Sequence, residues 1–204
     1  MEKTRIAVLV SGGGTNLQAL IDAEKSGIIK NGEIVLVLSN KPSAYALERA
    51  KTAGIKTAIV TKKECGTKEL FEEKILETLK NEKIDMIVLA GFMCILSEKI
   101  ISAYRDKIIN VHPSLIPSFC GEGYYGLKVH EEALKYGVKV TGATVHYVNE
   151  IADGGKIIAQ KAVEILEGDT PEILQKRVME EAEWILLPSV AEMLSLKIRN
   201  EKEI

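Results

Sequence analysis

The feature that most constrains the fold is an alternation, through the first half of the chain, of short apolar runs with longer helical patterns. The runs "RIAVLVSG" and "EIVLVLSN" are rich in β-branched residues, whereas "NLQALIDAEKSG" between them repeats apolar residues every three to four positions. Short strands separated by helices are typical of parallel strands joined by right-handed crossovers. We therefore predict a single-domain α/β protein with an open, mostly parallel, Rossmann-like sheet and helices on both faces.

The pattern changes after residue 137. Two strands, predicted over 138–148 and 154–165, follow each other without a helix, so the sheet is expected to end in an antiparallel section. A final helix is predicted over 171–196, because Asp169 or Thr170 can cap it and Pro171 suits its first turn. The charged tail, residues 198–204, is expected to fray.

Composition excludes several classes of protein. The 204 residues fit one domain, 1–204, and no stretch approaches the roughly 18 uninterrupted apolar residues of a membrane span. The net charge is −2 with both signs interspersed, so neither a membrane nor nucleic acid is expected as a partner. Cys65, Cys94 and Cys120 form no C-x-x-C motif, which argues against disulfides and zinc and favours a reducing, cytoplasmic location.

The stretch "KIINVHPSLIPSF" places two polar residues at the end of an apolar strand. Residues two apart on a strand share a face, so Asn110 and His112 are expected to project together, and Pro113 ends the strand. The ordinary interpretation of a strand histidine is a neutral, hydrogen-bonded core residue. Beside an amide with two donors, however, His112 forms a candidate site for stabilising the oxygen of a tetrahedral intermediate.

The loop "SGGGTN" between the first strand and helix is a candidate anion site. Glycines allow the backbone to approach a ligand, and free N–H groups at a helix start attract anions. The sequence has neither the G-x-G-x-x-G fingerprint nor the Lys-Ser/Thr of a Walker A loop, so a monophosphate is favoured. The alternative is a ligand-free turn capped by Thr15 or Asn16.

Such a site needs an acid, and "NEIADGGKII" offers Asp153 before two glycines, with Glu150 as a competitor. Asp153 is equally typical of a plain turn. His146 and Thr144 share one face of the neighbouring strand, where a hydrogen bond to the site or simple packing is expected. His130 follows a helical pattern, and no further role is assigned to it.

Five stretches together resemble the folate-dependent formyltransferase family, and within it the glycinamide ribonucleotide formyltransferases. They are "SGGGTNLQAL", "DMIVLAGFMCILS", "IINVHPSLIPSF", "GATVHYVNEIADGGKIIAQ" and "EWILLP", which extend over nearly the whole chain. The resemblance implies the formyltransferase fold, with residues 1–105 as a nucleotide-phosphate-binding half and 106–197 as a catalytic and folate-binding half. Among relatives, methionyl-tRNA formyltransferases carry an additional carboxyl-terminal domain and formyl-tetrahydrofolate hydrolases an additional amino-terminal one, and we expect this chain to have space for neither.

The resemblance also implies roles for individual residues. Three match the family's catalytic residues: Asn110, His112 and Asp153. Five match its substrate-binding residues: Gly13, Gly14, Thr15, Asn16 and Glu183, the last with one extra residue before it. The folate-binding positions are Met93, Cys94, Ile95, Leu96, Asn149, Glu150, Ile151, Ala152 and Asp153, and Thr144 and His146 would support them. Two departures stand out: Cys94 replaces a common Arg, and "CGEGYYG" replaces a short Pro-Gly turn.

The implied reaction is transfer of the formyl group of 10-formyltetrahydrofolate to the amine of 5-phospho-ribosylglycinamide, without metal or ATP. Asn110 and an imidazolium His112, its pKa raised by Asp153, would stabilise the oxyanion. The chain would act as a monomer or homodimer. The alternatives are a formyltransferase or formyl-folate hydrolase with another acceptor, a non-catalytic nucleotide-binding domain, and a hydrolase built on Cys120.

Overall fold

The computed structural model describes residues 2–202 of the chain. Seven strands form one sheet: β1 Thr4–Val10, β2 Gly32–Ser39, β3 Lys56–Ile59, β4 Met86–Leu89, β5 Ile108–His112, β6 Val140–Tyr147 and β7 Ile157–Glu164. The α-helices are α1 Thr15–Lys25, α2 Ala46–Thr52, α3 Lys62–Cys65, α4 Lys68–Asn81, α5 Glu98–Ala103, α6 Leu127–Tyr136, α7 Pro171–Val178 and α8 Trp184–Glu201. A π-helix, Met179–Glu183, joins α7 to α8. Within residues 2–202, no helix is long and apolar enough to cross a membrane.

The sheet has the strand order β3-β2-β1-β4-β5-β6-β7. The first five strands run parallel, and β6 and β7 are antiparallel to their neighbours, which confirms the predicted mixed sheet. The direction of winding reverses between β1 and β4. In open α/β sheets such a reversal leaves a crevice at the carboxyl ends of the strands, where ligands bind.

Helices cover both faces of the sheet because its central strands are apolar on both sides. In β1, Ile6 and Val8 face one apolar core, whereas Ala7 and Leu9 face the other. The first core contains apolar side chains of α1 and α8, and the second contains those of α4 and α5. This alternation is the expected consequence of side chains pointing to opposite faces of a strand.

The C-terminal region differs from the prediction in two ways. The single helix predicted over 171–196 is divided by the π-helix Met179–Glu183. The predicted fraying is wrong for residues 198–201, because α8 continues through Glu201 with Ile198 buried and Arg199 bonded to the side chain of Asn31. The predicted tail residues 203 and 204 lie outside the described residues.

The cap of α7 is Thr170, whose hydroxyl accepts a hydrogen bond from the Ile173 N–H at 3.4 Å. Asp169, the other predicted cap, instead accepts two hydrogen bonds from the Arg177 guanidinium, both at 2.6 Å. At α1 the structure does not have the alternative arrangement, a turn capped by Thr15 or Asn16. The N-cap is Gly14, with left-handed φ of 73°, and no side chain caps this end.

We expect Gly14→Ala to destabilise the fold more than Gly27→Ala. Both glycines have a left-handed φ, of +73° and +77°, but a Cβ at Gly14 would lie 2.6 Å from the Ala46 Cβ, whereas nothing lies within 4 Å at Gly27. Backbone strain alone costs about 1–2 kcal/mol, and the overlap should add about 1–3 kcal/mol. Urea unfolding of both variants measures the difference. Equal transition midpoints at equal slopes would contradict the steric argument.

Candidate active site

A cavity of about 650 Å³ opens at the carboxyl ends of β1, β4 and β5. Its wall includes Asn16 from the first turn of α1, Met93 from the loop after β4, and Asn110 and His112 from the end of β5. Asp153 comes to it from the loop between β6 and β7. The polar residues that the sequence singles out in distant segments therefore share one cavity, at the position that the strand reversal predicts.

The Asn110 side chain is held by the antiparallel partner strand. Asn110 lies opposite His146 in the β5–β6 register, and its Nδ2 is 3.2 Å from His146 Nε2. His146 Nδ1 is 2.7 Å from the carbonyl oxygen of Tyr147, which can only accept, so Nδ1 carries a proton. In the neutral imidazole Nε2 then accepts a hydrogen bond from Asn110, and the second amide N–H of Asn110 stays available to a ligand.

His112 is buried, with 4% of its surface exposed, and both ring nitrogens face polar atoms. Nδ1 is 3.4 Å from Asp153 Oδ2, and Nε2 donates to the carbonyl oxygen of Phe119 at 2.8 Å. Burial lowers the pKa of His112, and this effect outweighs the raising influence of Asp153 and of the Phe119 carbonyl. The raised pKa expected for His112 is therefore wrong for this structure, and the Phe119 carbonyl, which can only accept, holds a proton on Nε2.

The Asp153 carboxylate lies between two imidazoles. Oδ2 faces His112 and accepts a hydrogen bond from the Gly121 N–H at 2.9 Å, while Oδ1 is 3.6 Å from His146 Nε2. Burial alone would raise the pKa of Asp153, but the interactions with His146 and His112 and the hydrogen bond from the Gly121 N–H lower it overall. Asp153 is therefore charged at neutral pH, although the pKa of its partner His112 is also lowered.

The turn that presents Asp153 explains the two glycines that follow it. Asp153 has a positive φ of 54°, a conformation that Asp tolerates better than most residues. A Cβ at Gly155 would lie 1.7 Å from the Tyr147 carbonyl oxygen, so only glycine allows the chain to pass there. The competing acid, Glu150, is exposed and does not line the cavity.

The first turn of α1 supplies the candidate anion site. Because Gly14 is the N-cap and no side chain caps the helix, the N–H groups of the first turn have neither an intrahelical nor a side-chain acceptor. The Thr15 hydroxyl lies 3.6 Å from Met179 Sδ, and Asn16 Nδ2 donates to Glu183 Oε2 at 2.6 Å. Of the predicted loop residues Gly13, Gly14, Thr15 and Asn16, only Asn16 lines the cavity.

Glu183 is a buried carboxyl at the end of the π-helix. Such a helix closes its hydrogen bonds over one more residue than an α-helix, so it accommodates the extra residue expected before Glu183. Burial raises the pKa of Glu183 to about 6, although the hydrogen bond from Asn16 lowers it in part. The Oδ1 atom of Asn16 is buried without a hydrogen-bond partner in the described chain.

An apolar wall lies along the loop after β4. Met93 and Ile95 are 50% and 59% exposed although they line the cavity, and Leu96, which also lines it, is buried. Cys94 accepts a hydrogen bond from Asn40 Nδ2 at 3.0 Å. Ile151, from the loop after β6, also lines the cavity and is 68% exposed, so apolar side chains from two loops stay open to a flat, largely apolar ligand.

The loop that precedes α6 contributes contacts that the sequence did not predict. We call residues 119–126 the strap: Phe119 accepts the hydrogen bond of His112, Gly121 donates to Asp153, and Tyr125 lines the cavity. The departure of "CGEGYYG" from the family pattern and the candidate nucleophile Cys120 were the sequence signals that pointed to this segment. Burial raises the pKa of the Cys120 thiol, and Asp153 adds to the rise, so Cys120 lacks the thiolate character of a nucleophile.

Two further residues of the cavity wall were not assigned from the sequence. Lys41 is its only lysine or arginine among the described residues, and His130 lies in the wall fully buried.

Thr144, predicted to support the site, instead donates to the Ser114 carbonyl at 2.7 Å and accepts from the Ile116 N–H at 3.1 Å. It supports the loop after β5 rather than the cavity. Within residues 2–202, no group of three His, Cys, Asp or Glu side chains is placed to hold a metal ion.

We expect Glu183→Gln to change how stability depends on pH. The folded-state pKa of Glu183, about 6, exceeds its ordinary value of 4.5. The resulting stabilisation is fully present below pH 4.5 and is lost as the pH rises through 6. The free energy of unfolding of Glu183→Gln minus that of the wild type should therefore rise by about 2 kcal/mol between acidic and neutral pH. Urea titrations across this range, with the exposed Glu181→Gln as matched control, measure it; a constant difference would contradict the burial argument.

Comparisons with known proteins give consistent matches. Residues 4–190 match the family model described as Formyl transferase. The chain is 34% identical over 198 residues to the chloroplastic phosphoribosylglycinamide formyltransferase of Arabidopsis thaliana, covering 97% of this chain and 68% of that protein. The crystal structure of glycinamide ribonucleotide transformylase 1 from Symbiobacterium toebii superposes with a TM-score of 0.89 at 38% identity, over 96% of this chain and 89% of that one.

Longer proteins also match. The chain is 40% identical over 196 residues, 95% of its length, to the trifunctional purine biosynthetic protein adenosine-3 of Drosophila melanogaster. It spans 14% of that protein and 14% to 18% of the other trifunctional relatives first matched.

Proposed function

The chain belongs to the formyl transferase family, and we propose that it is a phosphoribosylglycinamide formyltransferase. It would transfer the formyl group of 10-formyltetrahydrofolate to the primary amine of 5-phospho-ribosylglycinamide, a step of purine biosynthesis. One observation carries the proposal. Asn110, His112 and Asp153 lie in the wall of a single cavity that has a helix N-terminus on one side and an open apolar wall on another.

The proposed chemistry is a direct attack of the amine on the formyl carbon. A C–N bond forms to the acceptor, the bond from the formyl carbon to the folate nitrogen breaks, and one proton passes from the amine to the leaving nitrogen. No enzyme nucleophile is required, in agreement with the raised pKa of the Cys120 thiol. The enzyme's task is then to orient the two substrates and to stabilise the negative charge that develops on the formyl oxygen.

Two hydrogen-bond donors would bind that oxygen. The free N–H of Asn110 is one, and the Nε2–H of a neutral His112 is the other. In this structure the second donor is bonded to the Phe119 carbonyl at 2.8 Å, so the substrate oxygen would take the place of a backbone oxygen. A neutral donor suffices in a dry site, because hydrogen bonds strengthen where water is excluded.

Asp153 would fix the orientation of the His112 ring and accept a hydrogen bond if Nδ1 takes up a proton during transfer. The distance of 3.4 Å between Oδ2 and Nδ1 supports this role, as does the lowered pKa of Asp153, which keeps the carboxylate charged. His146 would act indirectly, since it holds the Asn110 amide at 3.2 Å.

The substrates would bind on opposite sides of the reacting groups. The first turn of α1, with Gly13, Gly14, Thr15 and Asn16, would bind the ribonucleotide phosphate, and Glu183 would accept a hydrogen bond from the same substrate. The apolar side chains of residues 93–96 and the loop 149–153 would enclose the pterin ring. The cavity of about 650 Å³ lies within the usual range for small-molecule sites, roughly 300–1,000 Å³. Lys41 is the available cation for an anionic group of either substrate.

The two halves of the chain would have different roles. Residues 1–105 would bind the nucleotide phosphate, and residues 106–197 would carry the catalytic residues and most of the folate contacts. A reducing, cytoplasmic compartment fits the three cysteines, which are all free. A related enzyme with another acceptor amine, or with water as acceptor, would share the same three central residues, so the acceptor requires a direct test.

The decisive experiment mixes the purified protein with 10-formyltetrahydrofolate and glycinamide ribonucleotide and follows deformylated folate by absorbance. Turnover should require both substrates. Turnover without the ribonucleotide would instead indicate a hydrolase. Nucleotide binding without any turnover would indicate a non-catalytic domain.

We expect Asn110→Ala to lower kcat by roughly 10²–10³-fold, the usual effect of removing one preorganised oxyanion donor. The affinity for both substrates should change little, because this contact strengthens only as charge develops. Steady-state kinetics measure both constants, and Asn81→Ala, at an exposed asparagine outside the cavity, is the matched control. A kcat of Asn110→Ala equal to that of the wild type would remove Asn110 from the mechanism.

We expect Thr15→Ala and Asn16→Ala to raise the KM for glycinamide ribonucleotide more than they lower kcat, because phosphate contacts exist both before and during the reaction. The KM for the folate should stay at the wild-type value and serves as the internal control. Varying each substrate in turn separates the two constants. If neither variant changes the KM for the ribonucleotide, the phosphate binds elsewhere.

A further inference from the structure

His130 is a buried imidazole for which the folded chain provides no hydrogen-bond partner. Its exposed surface is 0%, and neither Nδ1 nor Nε2 is bonded to any described residue. Buried polar groups in folded proteins are nearly always hydrogen-bonded, because leaving water without a new partner costs free energy. Two unpaired ring nitrogens on one residue therefore call for an explanation other than packing.

The location of His130 suggests that explanation. It lies in the wall of the active-site cavity, on the first turns of α6, directly after the strap. In each of the other two histidines of the wall, both ring nitrogens lie close to polar atoms of the chain. His112 contacts Asp153 and Phe119, and His146 contacts Asn110 and Tyr147. Among these three histidines, only His130 has both ring nitrogens free.

The protonation state of His130 defines what it can bind. Burial lowers its pKa to about 4, and the nearby His112 adds to the shift. At neutral pH the ring therefore offers one N–H donor and one bare nitrogen that accepts. An attacking amine has N–H groups to donate, and its lone pair must point at the formyl carbon, so an acceptor behind the amine would orient it.

We propose that His130 is a substrate-positioning residue that accepts a hydrogen bond from the acceptor amine at its bare ring nitrogen and so aims the amine lone pair at the formyl carbon. This inference rests on the proposed formyl transfer. It assigns the third buried histidine of the cavity to the acceptor, while Asn110 and His112 serve the formyl oxygen.

The proposal predicts opposite effects on stability and on activity. His130→Leu removes two unpaired buried groups and keeps an apolar volume, so the variant should unfold at an equal or higher urea concentration than the wild type. Its kcat/KM for glycinamide ribonucleotide should nevertheless fall by about 10- to 100-fold, because the amine loses its orientation. A residue that only packs would not separate the two measurements in this direction.

Conservative variants identify the nitrogen that acts. Gln places an amide near the position of Nε2 and Asn near that of Nδ1, so one of His130→Gln and His130→Asn should recover more of the lost activity than the other. Val129→Ala is the matched control, since Val129 is buried on the same helix outside the cavity. It should lower stability and leave kcat/KM at the wild-type value.

A measurement on the unaltered protein covers the case in which a variant does not fold. With ¹⁵N-labelled histidine, addition of glycinamide ribonucleotide should shift the resonance of the bare His130 nitrogen, which NMR detects. An unshifted resonance at saturation, or wild-type kcat/KM in His130→Leu, overturns the proposal, as does a parallel loss of stability and activity in that variant. A wild-type protein that shows no turnover at all would instead refute the proposed formyl transfer.

Discussion

The register in which β5 pairs with β6 is the constraint on which the site depends. In this antiparallel pairing Asn110 lies opposite His146 and His112 opposite Thr144. A slip of one residue would turn Asn110 and His112 to the other face of the sheet, into the apolar core. The same register fixes where β6 ends, and so where the loop carrying Asp153 returns to His112. Three segments separated in sequence are thus positioned by one set of backbone hydrogen bonds.

Burial and charge compete throughout the cavity, and the outcome differs from one residue to the next. Burial dominates at His112 and His130, where it lowers the pKa of both imidazoles, and at Glu183, whose pKa rises to about 6. At Asp153 the interactions with His146 and His112 and the hydrogen bond from the Gly121 N–H prevail instead, and the carboxylate stays charged. Beside Asn110 and His112 the site therefore presents the charged Asp153 carboxylate, and Lys41 is a cation elsewhere in the wall. That arrangement suits a reaction in which an uncharged amine attacks and the developing charge is bound by hydrogen bonds.

Local sequence patterns predicted a strand or helix correctly where the spacing of its own apolar and capping residues is sufficient to specify it. The apolar runs of β1 and β5 were sufficient to predict those strands, and the cap signal of Thr170 was sufficient to predict the start of α7. Asn110 and His112 were correctly predicted to lie on one face of their strand. The π-helix before Glu183 was not predictable as such, because periodicity over five residues does not distinguish it from an α-helix. The end of α8 was missed because Ile198 is buried by residues far away in sequence.

The amino-acid order alone therefore determined the sheet, its antiparallel end and the residues from which a site could be built. Those features depend on spacing, on turn chemistry and on the conformational limits of glycine and proline, which are properties of neighbouring residues. The tertiary structure decided which nitrogen of His112 holds a proton, why Glu183 is hard to ionise, and that His130 lies unpaired in the wall. Each of these depends on how much water reaches a group and on which distant atoms replace that water, and no local pattern contains that information.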